Sequence, residues 1–311
     1  MLARPGLPSF DYVRAGTSAE VLRLLEQHGE AARLLMGGTD LLVRMREGVV
    51  RPRIVVDVKH VPGMRDVAYD ERVGLKVGAA VTMNELARHP AVLAHYPLLA
   101  EAANSVASYQ LRNRATIGGN LCNGSPCADA APATLVLEGR IVIEGPAGRR
   151  ELPAGEFFLG PGQTAMRAGE WMTAIHYPIP PADSAGRYLK LGRNKIGDLA
   201  LVSVAVFGFP AGTAPSGYRF RIALGSVAPV VLRVPEAEKV LAESPPGEET
   251  LALAAEKAVE AARPIDDVRA SAAYRRAMVR TLTLRGLREV GGEMRNAECG
   301  MRNAECGMRS A

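Results

Sequence analysis

"RATIGGNLCNGSPCADAAP" runs from Arg114 to Pro132. It holds two adjacent glycines, two asparagines, an aspartate and two cysteines separated by four residues. A metal clip, a disulfide and a backbone cradle for a phosphate would each suit that mixture. Cysteine arithmetic bears on the first two. The chain has four cysteines, and Cys299 and Cys306 lie in a tail where "MRNAECG" occurs twice in tandem, from Met294 to Gly307. A repeat fold needs longer units and more of them, so the duplication reads as a recent DNA-level event. Only Cys122 and Cys127 remain for the folded part. A structural zinc site wants four ligands, and a cysteine-held iron–sulfur cluster needs four cysteines. The pair also falls short of a disulfide framework. Both cysteines read best as small residues lining a ligand pocket.

That leaves the glycines, and a second stretch resembles the first. "MGGTDLL", Met36 to Leu42, follows the short apolar run "ARLLM". Glycines let a backbone come close to a ligand, and a run of amides in such a turn forms an anion nest. The bland alternative is a strand-to-helix turn with Thr39 or Asp40 as N-cap, and taken alone the stretch reads first as that. In the longer stretch, Asp129 precedes a helix-like run. It is either an N-cap or a carboxylate for a ribose or ring hydrogen bond. One glycine turn is a common feature. Two of them can grip a diphosphate from both sides and point to a dinucleotide.

Several functions are disfavoured. There is no G-x-G-x-x-G between a strand and a helix, no G-x-x-x-x-G-K-[ST] and no G-x-S-x-G. His28, His60, His89, His95 and His176 lack H-x-x-x-H spacing, which argues against a zinc enzyme. The formal charge is +5, carried by scattered arginines, with only 5% aromatics, so no nucleic-acid groove is expected. "MLARPGLPSFDY" is unlike a secretory signal. The longest apolar run, "LALVSVAVFGF" from Leu199 to Phe209, is too short to span a bilayer and reads as a buried strand. A cytoplasmic location is the default expectation. The length of 311 residues suggests two or three domains.

Local patterns give the elements. Thr17 and Glu20 make a capping box for a helix over "SAEVLRLLEQH", with Gly29 as its stop. "ARLLM" and "RIVVDV" read as short strands. "RVGLKVGAAV" alternates like a strand, and Thr82 and Glu85 form a second capping box before "MNELARHPAVLAHY". "PLLAEAANSVASYQ" and "ADAAPATLVLEG" read as helices, the latter closed by Gly139. "GRIVIEG" and "EWMTAIHYPIP" read as strands. In "GYRFRIALGSV", Tyr218, Phe220, Ile222 and Leu224 share one face. Three helices follow, near 235–242, 248–262 and 272–290. Strands followed by helices argue an α+β layer with an antiparallel sheet.

With both glycine turns in view, the sequence resembles the FAD-binding (medium) subunits of the molybdenum hydroxylase family, of the carbon monoxide dehydrogenase and xanthine dehydrogenase type. The matching features are "MGGTDLLVRMREG", "IVVDVKHVPGM", "LKVGAAVTMNEL", "PLLAEAANSVASYQLRNRATIGGNLCNGSPCADAAP", "EFFLGPGQTAMRAGE", "YLKLGRNKIGDLALVSVAV" and "AYRRAMVRTLTLRGL". They run in the family's order from about Leu7 to about Glu289. The resemblance implies an α+β chain: the two-part FAD-binding fold of vanillyl-alcohol oxidase and p-cresol methylhydroxylase, plus a C-terminal α+β domain. The implied divisions are FAD-binding subdomains at 1–58 and 59–180, a C-terminal flavoprotein domain at 181–290 and a disordered tail at 291–311.

By the same resemblance, Met36, Gly37, Gly38, Thr39 and Asp40 bind the FAD diphosphate together with Thr116, Ile117, Gly118, Gly119 and Asn120. Ser125 and Asp129 lie along the ribityl or adenosine portion, and Lys190 and Asp198 sit near the flavin. The family often has Ala where Cys122 and Cys127 stand. No cysteine-bearing insertion for a further iron–sulfur cluster is present, so no metal site is expected, and no covalent flavin attachment is evident. The implied activity is that of an oxidoreductase subunit. Electrons pass from [2Fe-2S] clusters of a small partner subunit through FAD to a quinone, NAD or oxygen. A molybdopterin-binding large subunit completes a heterotrimer, itself doubled. Two other readings stay open: a self-contained FAD-dependent oxidase or reductase, and a non-enzymatic nucleotide-binding subunit. For the former, Tyr109, Tyr188 and His176 are available as acid or base, but no catalytic constellation is legible.

Overall fold

The computed structural model describes residues 6–194 and 197–308, with side chains of the last helix through Asn296. The first sheet is small and parallel. Its strands are β1 (Asp11–Arg14), β2 (Ala32–Leu35) and β3 (Ile54–Asp57), in the order β1-β3-β2. Helix α1 (Ser18–His28) links the outer two. Thr17 caps it by accepting from the Glu20 amide at 3.2 Å. The return arm of the box reaches one residue further back, to the Gly16 amide at 2.9 Å. Helix α2 (Leu41–Arg46) connects β2 to β3. Because all three strands run the same way, their carboxyl ends share one edge, which is where open parallel sheets place ligands. The Met36–Asp40 turn leaves from that edge.

Asp57, at the end of the central strand, ties the edge together. Its carboxylate accepts from the Tyr12 hydroxyl at 2.6 Å and pairs with Lys59 at 2.7 Å. Burial pushes its pKa up, but the bonds from Lys59 and Tyr12 outweigh that and hold it below the usual aspartate range.

The second sheet is antiparallel. It contains β4 (Val67–Asp70), β5 (Gly74–Gly78), β6 (Arg140–Gly145), β7 (Gly148–Pro153) and β10 (Trp171–Tyr177), in the order β4-β5-β10-β6-β7. A hairpin of β8 (Phe158–Gly160) and β9 (Gln163–Thr164) precedes β10. Between β5 and β6 the chain makes six helices: α3 (Met83–Arg88), α4 (Pro90–His95), α5 (Pro97–Ser105), α6 (Tyr109–Arg112), α7 (Ile117–Cys122) and α8 (Ala130–Val136). The Thr82–Glu85 capping box is complete. The single helix expected after it breaks in two, because Pro90 forces His89 to φ −66°, ψ 127°. The Arg114–Pro132 stretch contains α7, where a turn is expected, and the start of α8, the helix expected over "ADAAPATLVLEG". Glycines are poor helix formers, so "IGGNLC" hides its helix from a pattern reading.

The third sheet is β11 (Ala185–Leu191), β12 (Val202–Pro210), β13 (Tyr218–Gly225) and β14 (Leu232–Arg233), antiparallel in sequential order. Helices α9 (Pro235–Glu243), α10 (Glu248–Ala261) and α11 (Ala272–Met308) cover one face. On that side Val202, Val204, Val206, Phe220, Ile222 and Leu224 form a core with Leu241, Leu251 and Leu287. The opposite face is also covered. Ala205, Phe207 and Ala223 join the large core of the first two sheets, alongside Leu98, Ala133 and Val136. This two-sided burial explains why the "LALVSVAVFGF" run is apolar but for Ser203.

The tail expected from residue 291 does not begin there. Helix α11 continues, Met294 is buried in the third-sheet core, and Glu293 pairs with Arg187. These contacts hold residues 291–294 to the domain. For the rest of the duplicated heptads, the side chains from 297 on and residues 309–311 lie outside the described residues.

Asp57→Asn is expected to destabilise the chain by about 1–3 kcal/mol at pH 7, measured by urea unfolding. The stability from a depressed carboxylate is complete above its unfolded value, ~3.9, and is lost as pH falls through the folded value. The gap between wild type and Asp57→Asn should therefore close on acidification.

Candidate cofactor site

The two glycine turns, far apart in sequence, meet in space. A Cβ on Gly37 would stand 2.9 Å from the carbonyl carbon of Arg114 and 3.1 Å from Cα of Ala115, with the Arg114 carbonyl oxygen closer still. Across the same seam, Asn123 Nδ2 donates to Asp40 Oδ1 at 3.3 Å. Met36 contributes its sulfur, 3.9 Å from Thr116 Oγ1.

The glycines of the two turns do different work. Gly37 is required by the backbone of the other turn. Gly38 adopts φ +75°, which an L side chain rarely takes. Gly118 is set by the chain as well: its Cβ would lie 2.6 Å from Ala79, against which α7 packs. Gly119 is the least enclosed of the four, since a Cβ there would meet only the Thr116 hydroxyl, at 2.9 Å.

The amides divide in the same way. In the second turn they are committed. Ile117 donates to Val81 O at 3.0 Å and Gly118 to Ala79 O at 2.9 Å. Gly119 donates to Thr116 Oγ1 at 3.1 Å and Asn120 to Thr116 O at 2.9 Å. In the first turn, among the described residues, no group accepts from the amides of Gly37, Gly38, Thr39 or Asp40. The turn does lead from strand to helix with Asp40 at the N-cap of α2, but its side chain makes no capping hydrogen bond. Gly37 to Thr39 are half-buried. Four consecutive unpaired donors packed against the second glycine turn make a seat for an anion.

The remaining predicted residues fall in two places. Asn120 accepts from the Ala130 amide at 3.2 Å, so it takes the capping role that the sequence offered to Asp129. Ser125 Oγ accepts from the Cys127 amide at 3.2 Å, closing its own loop. Asp129 is buried and looks toward the third sheet: it accepts from the Tyr188 hydroxyl and from Lys190 Nζ, each at 2.8 Å. Lys190 also donates to Ser105 O at 2.9 Å. Burial pushes the Asp129 carboxyl up, while Lys190 and Tyr188 pull it back. The Tyr188 hydroxyl is raised well above its usual value by burial and by Asp129. Lys190 thus joins the Asp129 cluster. Asp198 does not: it is bonded within its own loop, to the amides of Arg193 at 2.7 Å and Leu199 at 2.9 Å. Hydrogen bonds from Arg193 hold its carboxyl below the usual range.

Tyr188 is the member of this cluster that the motif reading left without a partner. The signal was available, since Tyr188 and Lys190 are two apart on a strand and so share a face. Of the cysteines, Cys122 is a thiol that burial pushes up to about 12, beside Met172. Cys127 lies 3.9 Å from Arg269. A cavity of about 290 Å³ between Tyr69, Tyr96, Ile179 and Asp183 includes no residue of either turn.

Similarity to known proteins agrees with this geometry. The family described as the FAD binding domain in molybdopterin dehydrogenase matches residues 8–180, and the CO dehydrogenase flavoprotein C-terminal domain matches residues 187–290. The chain belongs to the FAD-binding subunits of the molybdenum hydroxylases. It is 36% identical to the carbon monoxide dehydrogenase medium chain of Hydrogenophaga pseudoflava, over 90% of this chain and 96% of that one. It is 32% identical to a putative xanthine dehydrogenase FAD-binding subunit of Escherichia coli K12, over 89% and 94%. Among solved structures, it superposes with a TM-score of 0.87 and 35% identity on a chain of the H. pseudoflava carbon monoxide dehydrogenase lacking the Mo-pyranopterin moiety, covering 92% of this chain and 99% of that one.

This family member is therefore an α+β oxidoreductase subunit of the two-part FAD-binding fold with a C-terminal α+β domain, and FAD is its cofactor. The chain's own groups fit that cofactor. A diphosphate needs donors not already in use, and the Gly37–Asp40 amides are such donors. Among the described residues, no helix is long and apolar enough to cross a membrane.

Two glycine substitutions should separate structural from ligand-facing roles. Gly37→Ala is expected to cost at least about 3 kcal/mol of stability, because the Arg114 backbone cannot yield. Gly119→Ala should cost about 1 kcal/mol, the worth of a disturbed cap, yet still lose FAD. Thermal unfolding and flavin absorbance of the purified variants read the two effects.

Proposed function

We propose that this chain is the flavin-bearing electron-transfer subunit of a cytoplasmic molybdenum-containing hydroxylase or dehydrogenase complex. Its electrons come from [2Fe-2S] clusters on a small partner subunit, which draw them from a molybdopterin-binding large subunit. They leave to an external acceptor: a quinone, NAD or oxygen. The assembly is a heterotrimer, doubled. The observation that carries the reading is the run of unpaired Gly37–Asp40 amides seated against a second glycine turn, in a chain whose relatives are named as medium chains and FAD-binding subunits.

FAD, when bound, supplies the exchange between one-electron and two-electron carriers. The chain's own residues do the rest. Amides of Gly37 to Asp40 hold the phosphates. Gly119 leaves room for them, while Thr116, Ile117, Gly118 and Asn120 fix the opposite wall through bonds to Ala79, Val81 and Ala130. The Asp129–Lys190–Tyr188 cluster locks the C-terminal sheet against the segment that follows the second turn, so the cofactor's surroundings come from both parts at a fixed spacing. Ser125 shapes the loop between them, and Asp198, near the flavin end, ties the amides of Arg193 and Leu199 together. The chain's four cysteines include only two in its described side chains, too few for two [2Fe-2S] clusters, which supports a separate iron–sulfur subunit.

Purification of the chain from its native source tests the proposal. The expected result is co-purification with molybdenum- and iron-containing chains. The isolated chain should carry flavin but oxidise no organic substrate, and reducing the intact complex with its substrate should bleach the flavin. Turnover of a small substrate by the isolated chain at the full rate of the complex would contradict this and indicate a self-contained oxidase or reductase.

A further inference from the structure

We propose that Arg114 supplies the counter-charge for the dinucleotide's phosphates, a role that rests on the FAD reading above. The two turns, residues 36–40 and 114–125, contain one anionic and one cationic side chain, Asp40 and Arg114. All other groups there are neutral. Backbone amides provide partial charges only, and a diphosphate seated on them lies next to the Asp40 carboxylate. Asp40 is held by the neutral amide of Asn123 and, among the described residues, makes no ion pair. The site therefore needs a positive charge, and the sequence provides one at the seam.

The geometry of Arg114 suits this. Its main chain is fixed: its amide donates to Leu111 O at 2.9 Å, and its carbonyl lies against Gly37. Its side chain is exposed and, among the described residues, has no ion-pair or hydrogen-bond partner. Of the other cations, Arg112 donates to the carbonyls of Val106 and Ala107 and to Asn84, Lys190 is paired with Asp129 and Arg193 with Asp198, while Arg44 and Arg46 stand on α2, outside both turns. A guanidinium presents a planar fork that matches phosphate oxygens, and it keeps its charge at any working pH. An exposed arginine is often merely solvated. Arg114 differs in being rooted at the contact between two turns that carry no other cation.

Fluorescence titration of the full-length apo-chain with FAD, and separately with riboflavin, tests the role, because riboflavin lacks the phosphates. Arg114→Gln is expected to weaken FAD at least about tenfold, the value of a charge-assisted contact, and Arg114→Glu further. Arg114→Lys should stay within about threefold of wild type, since the charge remains. Riboflavin affinity should be the same in all four proteins. Raising salt should weaken FAD binding to wild type more than to Arg114→Gln. Wild-type FAD affinity in Arg114→Glu, or equal weakening of FAD and riboflavin in Arg114→Gln, would overturn the assignment. If wild type itself takes up no FAD, the FAD reading fails, and this role with it.

Discussion

The whole site depends on a carbonyl and a missing Cβ. The backbone of Arg114 occupies the space that any side chain at position 37 would need. That contact brings a turn leaving a parallel three-stranded sheet against a turn that opens a short helix packed on Ala79 and Val81. The close approach has an electrostatic consequence. Residues 37–40 leave the β2 ladder without entering a helix, so their amides have no partner within the chain. Unpaired half-buried donors are costly unless a ligand or solvent satisfies them. The anion seat is therefore a product of how the two turns pack, and is not a property of either turn alone.

A second constraint sets the distance between the FAD-binding part and the C-terminal sheet. β12 and β13 are buried on both faces, against α9–α11 on one side and the α5 and α8 region on the other. Within this apolar contact, Asp129, Tyr188 and Lys190 form a compact charged group. Such a group is expensive to bury and tolerates little displacement, because removing one member leaves another unpaired. It acts as a registration point: β11 sits where its alternate residues 188 and 190 can both reach the residue that precedes α8.

Much of this was legible in the sequence, and the failures have physical causes. The alternation in Tyr218–Leu224 and the capping box at Thr82–Glu85 are local signals, and the structure reproduces them. Helix α7 escaped because its glycines mask a helix that is capped by Thr116 and held by long-range bonds to Ala79 and Val81. Asp129 stands where a local pattern offers a cap for α8, but Asn120 supplies the bond from ten residues away. Gly37 and Gly118 face long-range neighbours that no local pattern displays: a Cβ there would meet the Arg114 backbone and Ala79. The tail boundary at 291 failed because composition carries no information about Met294 finding a place in the core. What pattern reading missed was in each case non-local.

Hydrogen exchange of the backbone, with and without FAD, tests the central claim most directly. In the free chain, the amides of Gly37 to Asp40 should exchange fast, while those of Ile117 to Asn120 are already protected by their bonds within the chain. Adding FAD should slow exchange at Gly37–Asp40 and change little at Ile117–Asn120. FAD-dependent protection at Ile117–Asn120 with no change at Gly37–Asp40 would contradict the account, for it would place the phosphates on the wrong turn.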